Sequence, residues 1–96
     1  MKPKYVSYRL FGDSGPLSAY WHDGPYGAAR EADNRGGVGW FSPAGELLGV
    51  EFDDVNHETD DQTLNFGKMH VHVRMRERKP TITVTALRGN TSRRAA

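Results

Sequence analysis

The chain has no cysteine and a single isoleucine, Ile82. Without thiols there is no disulfide framework, no thiolate metal centre and no cysteine nucleophile. With so little isoleucine, the four Phe, two Trp and four Tyr residues must supply much of the buried area. Long apolar runs are also missing, and no stretch approaches the roughly 20 residues of a membrane-crossing helix. The opening MKPKYVSYRL has no apolar run behind its basic residues, which argues against a signal peptide. The expectation is a cytoplasmic protein with no membrane partner.

Catalytic signatures are absent as well. There is no phosphate-binding glycine loop, no H-E-x-x-H and no G-x-S-x-G. Ser14, Ser18 and His22 lie near one another in the sequence, but nothing in their spacing implies a triad. The expectation is a chain that is not an enzyme and holds no cofactor. The aromatic group Tyr20, Trp21, Tyr26, Trp40 and Phe41 could line a ligand pocket. Core packing is the better reading, because aliphatics are scarce.

What is present suits one small folded domain, residues 1–96. Hydrophobic residues make up 36% and charged residues 26%, ordinary values for a globular chain. A chain this short buries one modest core.

Period-two alternation, the mark of half-buried strands, recurs along the chain. Residues 4–11 place Val6, Tyr8 and Leu10 on one face, and residues 12–16 (GDSGP) read as a turn. Leu17, Ala19 and Trp21 share a face, followed by the turn signal Asp23-Gly24-Pro25. Residues 26–35 suit one or two helical turns or an irregular strand and loop. A Gly-rich strand over 37–42 and a strand over 46–53, with Leu48, Val50 and Phe52 inward, flank the turn Ser42-Pro43-Ala44-Gly45 and predict a hairpin. Residues 56–67 are polar and aperiodic and read as an acidic loop. Residues 68–88 form the clearest hairpin. Met69, Val71, Val73 and Met75 alternate with His70, His72, Arg74 and Arg76, and after a turn at residues 77–79 Ile82, Val84 and Ala86 alternate with threonines. Residues 89–96 read as a flexible tail. The fold expected is mainly β, with α+β as the alternative. It is a single antiparallel meander or half-barrel of about six strands with at most one short helix.

Residues 4–55 carry a set of short motifs: Ala19-Tyr20-Trp21, Asp23-Gly24-Pro25, Arg30-Glu31 and Gly45-Glu46-Leu47-Leu48-Gly49-Val50-Glu51-Phe52. Together they resemble the YuzE-like family of small bacterial proteins, a domain of unknown function. That family usually has an acidic residue just before its first aromatic strand, a place taken here by Pro16 or Leu17. Its members commonly end soon after the Glu-containing strand, so residues 56–96 lie outside the resemblance. The family has no established activity. Its genes can lie beside small toxin-like genes, so the resemblance implies an antitoxin-type binding protein.

Charge is segregated along the chain although the formal net charge is +1. Residues 46–67 hold seven acids and no Lys or Arg, whereas residues 68–96 hold eight Lys and Arg against Glu77 alone. Such asymmetry can mark an interaction surface, or the two patches can pair with each other. Three functional readings follow. The first is a protein-binding module, antitoxin-like or an inhibitor, whose partner meets Glu51, Asp53, Asp54, Glu58, Asp60 and Asp61. The second is a nucleic-acid binder using Lys68, Arg74, Arg76, Arg78 and Lys79 against phosphates. Residues 67–96 contain no Phe, Tyr or Trp to stack on bases. The third is a small cupin-like metal protein. His70 and His72, at i and i+2 on one strand, share a face and could reach one metal. Glu77 follows at the spacing of H-x-H-x4-E, and His57 or a nearby acid could complete the site, but the neighbouring arginines oppose a cation there. Open edge strands would also allow two copies of the chain to pair.

Overall fold

The computed structural model describes residues 2–22 and 29–86. Eight antiparallel strands form two sheets, with no helix and no closed barrel among these residues. Strands β1 (Tyr5–Tyr8), β2 (Ser14–Tyr20), β3 (Arg30–Asn34), β4 (Gly37–Phe41) and β5 (Leu47–Asn56) make a sheet of order β1-β2-β5-β4-β3. Strands β6 (Thr59–Phe66), β7 (Met69–Arg76) and β8 (Lys79–Ala86) make a three-stranded meander. The turn signal Asp23-Gly24-Pro25, Tyr26, and residues 87–96 with Arg88, Arg93, Arg94 and the tail lie outside the described residues.

The strands beyond the expected six are β3 and β6. β3 has one apolar residue, Ala32, and its Arg30, Glu31 and Asp33 are exposed because it lies at a sheet edge. Residues 59–66 are not a loop. β6 pairs with β7 over its whole length, from Thr59↔Arg76 to Phe66↔Met69. Its inward face begins with polar Asp60 and Gln62 before reaching Leu64 and Phe66, so the alternation is hidden in the sequence. The polar pair has work of its own. The Gln62 side chain donates to the carbonyl of Asp54 at 2.6 Å, and Asp60 accepts from the amide of Asn56 at 2.9 Å. Together they satisfy backbone groups of β5 that leave the ladder.

β5 is long because it bends twice. Its register slips by one residue against β4 between Trp40 and Phe41, and again against β2 between Gly15 and Leu17. Each β-bulge switches which residue parity faces the core. Leu47, Val50, Phe52 and Val55 are consequently all buried, whereas Leu48, expected inward, is half-buried, and Asp53 and Asp54 are both exposed.

One core joins the two sheets. Leu17, Ala19, Trp21, Leu47, Val50, Phe52 and Val55 of the larger sheet and its margin pack with Leu64, Val71, Val73, Met75 and Ile82 of the smaller. β6 lies against β4, whose Gly37 and Gly39 offer bare backbone. A Cβ on Gly37 would come within 2.8 Å of Leu64, and one on Gly39 within 2.8 Å of Phe66. At this side Asn34 Nδ2 also donates to the carbonyl of Asn65. On the opposite side β1 and β8 are edges unpaired among the described residues, separated by an open groove of about 380 Å³ lined by Lys2, Pro3, Val6, Pro80, Thr81 and Ile82.

Candidate functional site

The six expected contact acids do not form one free patch. Alternation along β6 and β7 puts Asp61 on the outer face of the small sheet with His70, His72, Arg74 and Arg76. Asp61 accepts from Arg76 Nη2 at 2.7 Å and lies 3.4 Å from His72 Nε2. The hydrogen bond from Arg76 holds the Asp61 carboxyl below the ordinary carboxylate range; desolvation opposes this, and the charges of Arg76 and Arg74 and a hydrogen bond with His72 reinforce it. Glu58 pairs with Arg78 at 3.1 Å and lies 3.2 Å from His57. Asp60 accepts from the amides of Asn56 and Asp61 and from Gln62, which fixes the β5–β6 connection. Glu51 accepts from Ser18 Oγ at 3.1 Å. Asp53 and Asp54 are the members left exposed without a side-chain partner among the described residues.

The acidic and basic segments therefore meet each other. Since Asp61 has a depressed pKa, it stabilises the fold fully above its unshifted value of 3.8 and loses that contribution as pH falls through the lowered value. Asp61→Asn is expected to leave a smaller acid-side loss of stability than the parent shows, as measured by urea unfolding across the acid range.

The basic residues are divided in the same way. Arg76 and Arg78 are engaged by Asp61 and Glu58, and Arg76 also donates to the carbonyls of Asp60 and Met75. Lys68, Arg74 and Lys79 are exposed, Lys68 in the β6–β7 turn, Arg74 within β7 and Lys79 at the start of β8. A continuous row of unopposed cations is not formed. The His pair does share the outer face of β7, as expected, but each ring is held by β6. His70 Nδ1 meets Asn65 Oδ1, and His72 Nδ1 lies 2.8 Å from Thr63 Oγ1. Among the described residues no group of three or more His, Asp or Glu side chains is gathered closely enough to hold a metal ion. Glu77 sits in the β7–β8 turn with a positive φ of 50°.

The aromatic group is split. Trp21 is buried, and Phe41 packs edge-on against Phe66 at 5.3 Å beside the core. Tyr20 and Trp40 instead lie on the other face of the large sheet. They form a row with Tyr5, with ring centroids 5.1 Å apart for Tyr5–Tyr20 and 6.5 Å for Tyr20–Trp40.

The surface that the sequence did not disclose is β1 and the segment after it. Val6, Tyr8 and Leu10 were expected to share a core face, yet only Tyr8 reaches inward, where its hydroxyl donates to the Val55 carbonyl. Burial, and the nearby Asp54 and Asp60 carboxylates, push the Tyr8 phenol pKa up. Among the described residues, the large hydrophobic side chains left exposed are Tyr5 at 47%, Val6 at 39%, Leu10 at 47% and Phe11 at 67%. All four fall within residues 5–11. The signal in the sequence is that both faces of this strand carry aromatic or aliphatic residues, which one buried face does not require.

Comparison with known proteins finds no matching family model, no matching curated protein and no matching solved structure.

Proposed function

We propose that the chain is a non-enzymatic protein-binding module, antitoxin-like or an inhibitor of its partner, and that β1 is its docking edge. The observation that carries this is the confinement, among the described residues, of the exposed large hydrophobics to residues 5–11. An unpaired strand edge offers backbone donors and acceptors to an incoming strand. Here the same edge presents apolar side chains and has no charge within Tyr5–Tyr8. Asp53 and Asp54, exposed at the second bulge of β5, provide a smaller polar contact, while Glu51, Glu58, Asp60 and Asp61 are engaged within the chain. The motifs that resemble the YuzE-like family lie outside β1, on β2, β3 and β5 and in the segments beside them, and contribute only the expectation of an antitoxin-type binding protein.

The test is capture from lysate of the source cell, in nuclease-treated and untreated halves, with the parent chain and with Val6→Lys/Leu10→Lys. The expected result is a stoichiometric protein, identified by mass spectrometry, that survives nuclease and is lost with the double variant. Recovery of no stoichiometric protein at any salt concentration, or of nucleic acid alone, would contradict the proposal.

A further inference from the structure

Resting on the reading of β1 as a docking edge, we infer that, when no other partner holds it, the strand which docks on β1 is β1 of a second copy of this chain, paired antiparallel about a twofold axis at Tyr8. The backbone sets the allowed registers. Arg9 and Phe11 donate inward, to the carbonyls of Pro16 at 3.1 Å and Ser14 at 2.8 Å. The same ladder runs back through Ser7↔Ser18 and Tyr5↔Tyr20. Alternation in an antiparallel pair then turns the backbone groups of Val6, Tyr8 and Leu10 outward. These three can pair only with outward-turned residues of an incoming strand.

One symmetric register satisfies the side chains as well. With Tyr8 opposite Tyr8 of the second copy, Val6 faces the second copy's Leu10, and Tyr5 faces its Phe11. Each exposed hydrophobic of residues 5–11 thereby covers another, twice over by symmetry. Tyr5 and Phe11 lie on the outer face, so the pairing extends the Trp40–Tyr20–Tyr5 row by one more ring. Val6 lines the groove between β1 and β8, so the second copy's Leu10 arrives at its mouth beside Ile82. No like charges meet in this register, because Arg9, the one charged residue of 5–11, faces Ser7 of the second copy.

The remaining sheet edges carry charge or proline that opposes such pairing, along β3, in the first half of β6 and at the start of β8. β3 carries Arg30, Glu31 and Asp33, β6 carries Asp60 and Asp61, and β8 begins with Lys79 and Pro80. Charge and proline on an edge are the usual barriers to edge-to-edge association. β1 has neither within its four residues.

The experiment is light scattering at rising concentration, with two sets of variants. The parent mass is expected to move from 10.7 kDa toward twice that value. Val6→Lys/Leu10→Lys is expected to weaken association at least about tenfold while melting as the parent does at dilutions where both are monomeric, because it alters exposed side chains. The chain lacks cysteine, so register can be read directly. Ser7 of one copy faces Arg9 of the other as a non-hydrogen-bonded pair, a geometry close enough for a disulfide. Mixed Ser7→Cys and Arg9→Cys proteins are expected to cross-link faster under mild oxidation than either alone. A monomer at every concentration, a dimer indifferent to Val6→Lys/Leu10→Lys, or no preference for the mixed cross-link overturns the inference. If the chain stays monomeric but the double variant still abolishes capture of another protein, the second-copy inference falls and the protein-binding reading stands.

Discussion

Gly37→Val is expected to destabilise the fold by about 3 kcal/mol or more, at the top of the range for forcing atoms into a packed interior. For a domain of this size that lowers the melting midpoint by more than ~10 °C. The reason is the seating of one sheet on the other. A Cβ at residue 37 would lie 2.2 Å from the Glu51 carbonyl oxygen and 2.8 Å from Leu64 Cδ1. The first neighbour is backbone of the paired strand and cannot rotate away. The second is a core side chain with 1% exposure. Either β4 parts from β5, or β6 lifts off β4, and both lose core contacts. Gly45→Ala gives the contrast. Its φ is +88° but a Cβ there meets nothing within 4 Å, so its cost is confined to the backbone strain of a left-handed residue, roughly 1–2 kcal/mol. Thermal or urea unfolding of the two variants distinguishes obstruction from strain.

Phe52→Ala is expected to cost about 3–5 kcal/mol, the range for deleting a buried aromatic ring and leaving a cavity. Phe52 is fully buried and is the largest fully buried side chain among the described residues. It sits between the two bulges of β5, where one residue joins the register of β2 through Leu17 and that of β4 through Gly37. A loss of this size takes a large share of the 5–15 kcal/mol typical of a whole domain, so a substantial unfolded fraction is expected at physiological temperature. Phe11→Ser makes the converse point. It removes a ring of the same size from a position 67% exposed, so stability should move by no more than about 0.5 kcal/mol, while association through β1 weakens. The pair separates rings that hold the fold from rings that face a partner.

Much of the architecture was legible in the sequence because strand periodicity and turn chemistry are local. The β7–β8 hairpin alternates cleanly, since its inner face is uniformly apolar. The β4–β5 hairpin is declared by Ser42-Pro43-Ala44-Gly45, and the turn closes with the Gly45 amide donating to the Ser42 carbonyl at 2.8 Å. β6 was hidden because Asp60 and Gln62 face inward to serve backbone groups of β5 past the end of its pairing with β4. The bulges themselves leave no local mark. Leu47-Leu48 reads equally well with either leucine inward, and the outcome is set by pairing with β4.

The site was less legible, for a related reason. Charge segregation along the chain suggested two separate patches, but strand pairing across β6 and β7 places Asp61 beside Arg76, and the turn contact places Glu58 beside Arg78. Sequence distance concealed spatial neutralisation. The β1 surface was missed because alternation in residues 4–11 resembles that of an ordinary half-buried strand. Whether such a strand is covered depends on how the second sheet sits; the groove between β1 and β8 leaves Val6 uncovered, and Leu10 is exposed beyond the end of β1.

The most direct measurement is residue-resolved amide hydrogen exchange along residues 5–11 as the concentration of the chain is raised. Docking of a second copy on β1 is expected to slow exchange at Val6, Tyr8 and Leu10, whose amides point away from β2, and to leave Ser7, Arg9 and Phe11, already bonded inward, little changed. Rapid exchange at Val6, Tyr8 and Leu10 that persists at every concentration would contradict it.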